Sequence, residues 1–186
     1  MTLTVITPPA TPPVALAEMK AFLRIGHDGE DSLVADLVEA ATRQVEGLLG
    51  KVLVSQTLER CYQDWPPTLA GRGVHLRPGP VSALVSVTVV DADNVGEGVT
   101  SRFKLDCGRV QLRPWSFAPA VPAGGRVEVR FVAGFGAASA VPDDLVLAVK
   151  RLAQEAYQSR EFSNGRDVGV PRDVEALLAA YREIRL

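Results

Sequence analysis

The hydrophobic pattern of this chain changes period twice, and these changes constrain its fold more than any other feature. Before about residue 54 and after about residue 140, apolar side chains recur at three- and four-residue steps, which is typical of amphipathic helices. Between those points, short runs of alternating apolar and polar residues are separated by proline and glycine, which is typical of strands. The sequence therefore predicts an α+β fold. It has a mainly α-helical core of about four helices, from residues 1–53 and 141–186, and a small antiparallel β-sheet insertion over residues 54–140.

Two helices are predicted before the sheet. Residues 16–25 have the spacing of a short helix, and residues 30–49 have the spacing of a longer one. Asp28 is placed to cap the longer helix and Gly50 to end it. The proline-rich residues 7–13 favour a stiff extended arm ahead of both helices.

The central part predicts strands and a hairpin. The strands are expected at residues 57–65, 85–89 and 127–131, and the hairpin turns at Cys107 and Gly108. Alternation of apolar and polar residues is strict in residues 127–131. This last strand is therefore expected to bury one of its faces.

Two further helices are predicted after the sheet. The first opens at Pro142 with two acidic residues and ends near Arg160, and the second covers residues 171–186. A polar, glycine-containing link at residues 163–169 joins them, and we interpret it as a hinge. The hinge residues are Ser163, Asn164, Gly165 and Gly169.

The predicted terminal helix carries a single apolar stripe, formed by Val174, Leu177, Leu178, Tyr181 and Ile184. Such a stripe has to be buried against another surface. It can pack on the core of this same chain, or it can dock into a partner protein. The sequence leaves both alternatives open.

Charge and targeting features exclude several classes of protein. Twenty basic and 22 acidic residues give a formal net charge of −2, so no overall positive field would hold nucleic acid or an anionic membrane. The pattern of an export signal and a run of about 20 apolar residues are both missing, so we expect a cytoplasmically made protein without a membrane partner. Cys61 and Cys107 fit no Cys-x-x-Cys spacing and are expected to be buried free thiols.

The loop at residues 134–139 is the main candidate for chemistry. Its glycines Gly134 and Gly136 follow a predicted strand and precede a predicted helix, as in a dinucleotide-binding loop. However, Ser139 stands where the third glycine is required, and Pro142 starts the helix. A small nucleotide- or ligand-binding enzyme using this loop stays as an alternative to a simple exit from the sheet.

Other segments predict no chemistry. His27 and His75 lie in no catalytic or metal-binding motif, and the acidic residues 91–97 lack the spacing of an EF-hand. Trp65 and Trp115 each adjoin a proline, and we interpret both as packing or subunit contacts. We therefore expect a protein that is not an enzyme, with no cofactor and no catalytic, cofactor-binding or metal-binding residue.

A family resemblance rests on segments distributed along the chain in a particular order and spacing. They are residues 16–25, 37–41, 53–57, 133–136, 141–145, 156–161 and 177–182. Together they resemble the head-to-tail connector, or adaptor, proteins of tailed bacteriophages and gene transfer agents. The likeness covers nearly the whole chain.

This resemblance implies a structural protein of the virion neck, made in the bacterial cytoplasm. It implies a homo-oligomeric ring, expected to be a dodecamer, seated under the portal protein of a DNA-filled capsid. A stopper or tail-completion protein would attach to the other side. Double-stranded DNA would pass through the channel without specific contacts, which agrees with the low net charge. A helical DNA-binding regulator is a weaker alternative, because the sequence has no basic recognition helix.

With a portal as partner, the terminal helix becomes the candidate docking element. A helix laid in a groove is a common recognition mode, and arginine and tyrosine are favoured interface anchors. We expect the hinge to aim this helix at the portal. The predicted portal-binding residues are Leu178, Tyr181, Arg182, Arg185 and Leu186.

Overall fold

The computed structural model describes residues 2–159 and 170–182. The chain divides into two compact units. The helical unit contains Ala10–Val54 and Phe135–Leu186, and the sheet unit contains Met1–Pro9 and Ser55–Gly134. The chain therefore passes between the units three times.

Four helices form the described part of the helical unit. They are α1 (Leu16–Leu23), α2 (Asp31–Leu49), α3 (Asp143–Ser159) and α4 (Arg172–Ala179). Helix α2 packs against α1 and α3, and α3 also packs against α4. None of the described helices is long and apolar enough to cross a bilayer.

The predicted helical spacing produces the core of this unit. Helix α2 buries Val34, Val38, Ala41 and Val45, which recur at steps of three and four residues. Helix α3 adds Leu145, Ala148, Val149, Leu152 and Ala153. Burial of each large aliphatic side chain contributes roughly 1.5–3 kcal/mol, so this apolar core is the main source of stability for the unit.

The structure confirms the predicted C-terminal end of α2 but not its predicted N-terminal cap. Gly50 ends the helix in the left-handed conformation with φ 62°, as predicted. Asp28 does not cap the helix, because the N-cap residue is Glu30 and makes no side-chain cap bond. Asp28 instead accepts a hydrogen bond from Lys20 Nζ at 2.6 Å, and that ammonium holds the pKa of Asp28 below its ordinary value. Lys20 also donates to Asp31 at 2.6 Å, which ties α1 to the start of α2.

The sheet unit consists of two antiparallel sheets. The strands of the larger sheet are β1 (Thr2–Thr7), β2 (Gln56–Tyr62), β4 (Val81–Val90), β5 (Gly96–Gly98) and β8 (Arg126–Ala133). Those of the smaller sheet are β3 (Val74–His75), β6 (Phe103–Asp106) and β7 (Arg109–Leu112). The larger sheet has the strand order β1-β2-β8-β4-β5, and the smaller has the order β3-β7-β6. The predicted hairpin is confirmed, since β6 and β7 pair on either side of Cys107 and Gly108.

Strand β8 is the centre of the larger sheet and has the predicted alternation. Val127, Val129, Phe131 and Ala133 are buried on one face. Glu128 and Arg130 lie on the other face and are more exposed. The prediction that this strand buries one face is therefore confirmed.

Three expectations are corrected. The α+β class is confirmed, but the fold is not mainly helical, because the described strands are comparable in extent to the helices. Residues Thr2–Thr7, expected in the helical part, form strand β1 and pair with β2 instead. The cysteines are free but not buried, since Cys61 is half-buried and Cys107 is exposed at the hairpin turn, where a side chain cannot reach the core.

Candidate functional site

Helix α4 lies on the core of its own unit. Val174 and Leu178 are 0% exposed, and Leu177 and Tyr181 pack partly against the same core. Arg151 of α3 lies 3.5 Å from the carboxylate of Asp173, which adds an ion pair between the two helices. This chain therefore covers Val174 and Leu178 fully and Leu177 and Tyr181 partly, while Ile184 of the predicted stripe lies outside the described residues.

The predicted portal-binding residues are not equally accessible. Leu178 is buried, so it cannot meet a partner while α4 stays in this position. The helix ends at Ala179, earlier than predicted, and Tyr181 follows in a turn. The Tyr181 ring meets Phe135 edge to face at 6.4 Å, and its hydroxyl donates to Asp144 Oδ2 at 3.4 Å. Arg182 is exposed at the tip.

The electrostatic surroundings of Tyr181 keep its hydroxyl neutral. Desolvation raises its pKa, and the nearby carboxylates of Asp144 and Asp143 raise it further. A neutral hydroxyl can donate a hydrogen bond to a carboxylate, as it does to Asp144. Tyr181 therefore helps to fix the tip of the terminal segment.

The remaining predicted positions lie outside the described residues. They are the hinge residues Ser163, Asn164, Gly165 and Gly169 and the portal-binding residues Arg185 and Leu186.

The glycine loop is built to leave the sheet. Gly134 and Gly136 have φ values of 131° and 133°, a backbone conformation that favours glycine. The N–H of Gly134 donates to the carbonyl of Pro80 at 2.9 Å, and the N–H of Phe135 donates to that of Leu53 at 3.0 Å. A phosphate-binding loop needs such N–H groups free to meet the ligand. These two are already used by the fold.

The structure brings Glu59, Cys61 and Glu128 together on the outer face of the larger sheet, with ligand atoms within 4.8 Å of one another. The sequence did not indicate this cluster. Both carboxylates already have arginine partners, because Arg130 lies 2.5 Å from Glu59 and Arg126 lies 2.7 Å from Glu128. Burial and the same two carboxylates raise the pKa of the Cys61 thiol. Because an arginine already pairs with each carboxylate, the cluster is best described as paired charges across strands.

The segment after β7 presents two aromatic side chains to solvent. Trp115 is 98% exposed and Phe117 is 82% exposed. Arg113 Nε donates to the carbonyl of Phe103 at 3.0 Å, and Arg102 donates to that of Phe117 at 3.4 Å, so the segment is held at several points. Trp65, in contrast, stacks on Phe103 at 5.2 Å. The packing interpretation thus applies to Trp65, whereas Trp115 is exposed and its interpretation as a subunit contact stays a prediction.

Comparison with known proteins connects this arrangement to a family. Residues 13–102 match the phage gp6-like head-tail connector proteins. A chain in the virion of a native gene transfer agent (GTA) particle has a TM-score of 0.82 and 30% identity, covering 100% of this chain and 97% of that one. The chain belongs to the phage gp6-like head-tail connector family. This connector is a structural protein, and the enzyme that the glycine loop suggested has no support.

Two further structures similar to the connector come from particle necks. One is from the neck of the empty GTA particle, computed with C6 symmetry, with a TM-score of 0.80 and 30% identity. The other is from the neck of the native GTA particle, computed with C12 symmetry, with a TM-score of 0.80 and 28% identity. Each match covers 100% of the connector and 97% of the other chain. No curated protein sequence matches the connector.

Proposed function

We propose that this connector forms a ring in the neck of a phage or gene transfer agent particle. The ring lies between the portal and the stopper or tail-completion protein, and double-stranded DNA passes through it. The observation that carries this proposal is the likeness over the whole chain to neck components of particles with sixfold and twelvefold symmetry. A ring of identical copies needs two different contact faces on each copy.

The connector works in this proposal without catalysis. The N–H groups of Gly134 and Phe135 are occupied by backbone carbonyls, which leaves the glycine loop unsuited to phosphate. A formal net charge of −2 gives no general attraction for DNA, as a channel that DNA must slide through requires. Purified connector is therefore expected to show neither nucleotide hydrolysis nor tight binding to DNA.

The tip after α4 is the part that we assign to the portal. Leu178 anchors α4 in the helical unit, so its contribution is to hold the tip in place. Arg182 is exposed beyond this anchor and is free to contact a partner, with Tyr181 beside it. Arg185 and Leu186 extend the proposed contact. This divides the predicted portal-binding residues into one anchor and four contacts.

Electron microscopy of the purified connector, alone and mixed with the portal protein of the same particle, tests this function. We expect rings in one or both samples, with the connector ring stacked coaxially on the portal. Separate portal rings and connector monomers at all concentrations would contradict the proposal. Saturable ATP or NAD binding that is lost in Gly136→Val would favour the enzyme instead.

A paired substitution tests the portal contact. Arg182→Glu should weaken binding to the portal by about tenfold or more, because truncated or reversed interface arginines commonly cost more than 1 kcal/mol. Arg172→Glu, at the exposed start of α4, should leave binding unchanged. The affinity of each connector variant is measured by its binding to portal protein immobilised on a surface. Equal binding by both variants and the wild type would place the portal contact elsewhere.

A further inference from the structure

The larger sheet ends in two edges that no described strand covers. Strand β1 forms one of them. At the opposite edge, β5 pairs only with the Thr88–Val90 end of β4, and residues 81–86 have no strand beyond them in the described part of the chain. These two edges face in opposite directions, because they are the ends of one strand order.

Exposed apolar side chains are concentrated at these two edges. The described residues expose eight large hydrophobic side chains, and five of them lie at the edges. They are Leu3 (41%), Val5 (51%) and Ile6 (43%) in β1, Val85 (49%) in β4, and Val95 (66%) just before β5. Exposed apolar groups that collect in one place mark contact surfaces more often than scattered ones do.

Strand β1 continues the apolar face of the sheet beyond the part that its own unit covers. Val5 is directly opposite Leu58, which is directly opposite Phe131. Leu58 and Phe131 are 1% and 0% exposed, whereas Val5 is half exposed on the same face. A partner that covered Val5 would complete this face.

The long strands at the two edges lack the charges and prolines that often prevent edge-to-edge pairing, whereas β1 and β4 carry register shifts and β5 is only three residues long. Sheet edges are commonly protected by charged residues or proline, and β1 and β4 contain neither. Strand β4 has register shifts between Val81 and Ala83 and between Leu84 and Ser86, and such bulges re-aim side chains at an edge. Val85 lies within the second shift, and its apolar side chain is half exposed.

We propose that β1 of one copy of the connector lies along the β4–β5 edge of the next copy, so that Leu3 and Val5 cover Val85 of the neighbour. This inference rests on the ring of the proposed function. The occupant is a second copy because one sheet carries both halves of the contact on opposite edges, and head-to-tail contacts of this kind form a ring when the rotation between copies closes. Strands β1 and β4 are uncharged, so their contact removes no charge from water, and the charge at this edge is that of Glu97 in β5, which lies 3.8 Å from Arg102. Addition of a strand to an open edge supplies main-chain hydrogen bonds as well.

Charged substitutions at the two edges test the contact. Leu3→Lys with Val5→Lys should abolish ring formation, and Val85→Lys should do the same from the other edge. Both variants should melt within about 2 °C of the wild type, because exposed positions tolerate substitution. Leu48→Lys changes an exposed leucine of the helical unit and should assemble normally, which makes it the matched control.

Mixing the two edge variants gives a sharper result. Each retains one intact edge, so an equimolar mixture should form one-to-one dimers, observed by mass photometry, while each variant alone stays monomeric. Rings from the Leu3→Lys, Val5→Lys variant would overturn the inference and leave the proposed ring intact. Dimers of Val85→Lys alone would also overturn it, because they would mean that β1 pairs with β1. Wild-type connector without rings, with or without portal, would instead overturn the proposed function together with this contact.

Discussion

The helical unit and the sheet unit differ in how completely they cover their own apolar side chains. Among the described residues, the helical unit exposes one large hydrophobic side chain, Leu48, and the sheet unit exposes seven. The difference follows from geometry. A helix covers its apolar stripe with its neighbours in a bundle, whereas an open sheet always has two edges.

This contrast assigns different tasks to the two units. The helical unit, including α4, is a self-contained core with a charged tip. In the ring that we propose, the sheet unit provides surfaces that become covered on assembly. We therefore expect core substitutions in both units to reduce stability, and surface substitutions in the sheet unit to reduce assembly without reducing stability.

The largest expected effect is at the centre of the sheet. Phe131→Ala should lower the free energy of unfolding by about 3–5 kcal/mol, because the ring is fully buried and its removal leaves a cavity. Glu128→Gln, on the opposite face of the same strand, should cost less than about 1 kcal/mol. Urea unfolding measures both. Similar losses in the two variants would show that the faces of β8 are wrongly assigned.

Next in size is the effect that decides whether α4 belongs to the core. Leu178→Ala should cost about 2–5 kcal/mol if the helix is part of the helical unit. Leu177→Ala, at a half-buried position of the same helix, should cost less. Thermal and urea unfolding of both variants provide the comparison. If Leu178→Ala were as stable as the wild type, Leu178 would not be part of the core of the helical unit. It would then be a candidate for direct contact with the portal, as the sequence predicts.

A smaller effect is expected where the chain passes from the sheet unit to the helical unit. Gly136 has φ 133°, and a Cβ atom there would lie 2.9 Å from Ala140 Cβ, so Gly136→Ala should cost about 1–3 kcal/mol. Gly47→Ala is the control, since Gly47 lies within α2 and has open space for a Cβ atom. That variant should gain roughly 0.5–1 kcal/mol. A neutral result at Gly136 would mean that the loop can relax without loss of stability.

The smallest expected effect is a pH dependence within the helical unit. Burial raises the pKa of Glu46 above its ordinary value of 4.5, and the N–H of Leu53, which donates to its carboxylate at 2.8 Å, offsets this in part. Folding therefore favours the protonated form, so this residue stabilises the protein at low pH. That contribution is lost as the pH rises from the ordinary pKa through the raised one.

Glu46→Gln keeps an oxygen acceptor for Leu53 and removes the ionisation. Relative to the wild type, the variant should be more stable at about pH 7 than at about pH 4, as measured by urea unfolding at both values. The same difference in stability at the two pH values would show that Glu46 does not titrate differently in the folded protein.

Local features of the fold could be predicted from the sequence because local patterns cause them. The spacing of apolar residues in α2, the glycine that ends it and the alternation in β8 all involve neighbours along the chain. Strand β1 was missed because it follows no turn signal, and its pairing with β2 joins residues at least 50 positions apart. The order of strands in the larger sheet depends on other distant pairings, such as β2 with β8 and β4 with β8, whereas β6 and β7 pair across a local turn.

The candidate site shows the same limit. The apolar stripe of the terminal helix was evident, and amphipathicity requires that Leu178 be buried, but it does not say against which surface. The cluster of Glu59, Cys61 and Glu128 arises from residues on two strands that the sequence separates widely. The family, in contrast, could be identified from the sequence alone, because its segments occur in a fixed order along the chain.

The three passages of the chain between units have a consequence for how the protein can change over time. When α2 packs against α3, the segment Ser55–Gly134 between them is closed into a loop. The entropic cost of closing such a loop grows only with the logarithm of its length. Doubling that segment would cost the helical bundle only about 0.6 kcal/mol. Insertions and deletions in surface loops between the strands therefore leave the bundle almost unaffected. A lineage could reshape one unit for new neighbours while the other kept its core.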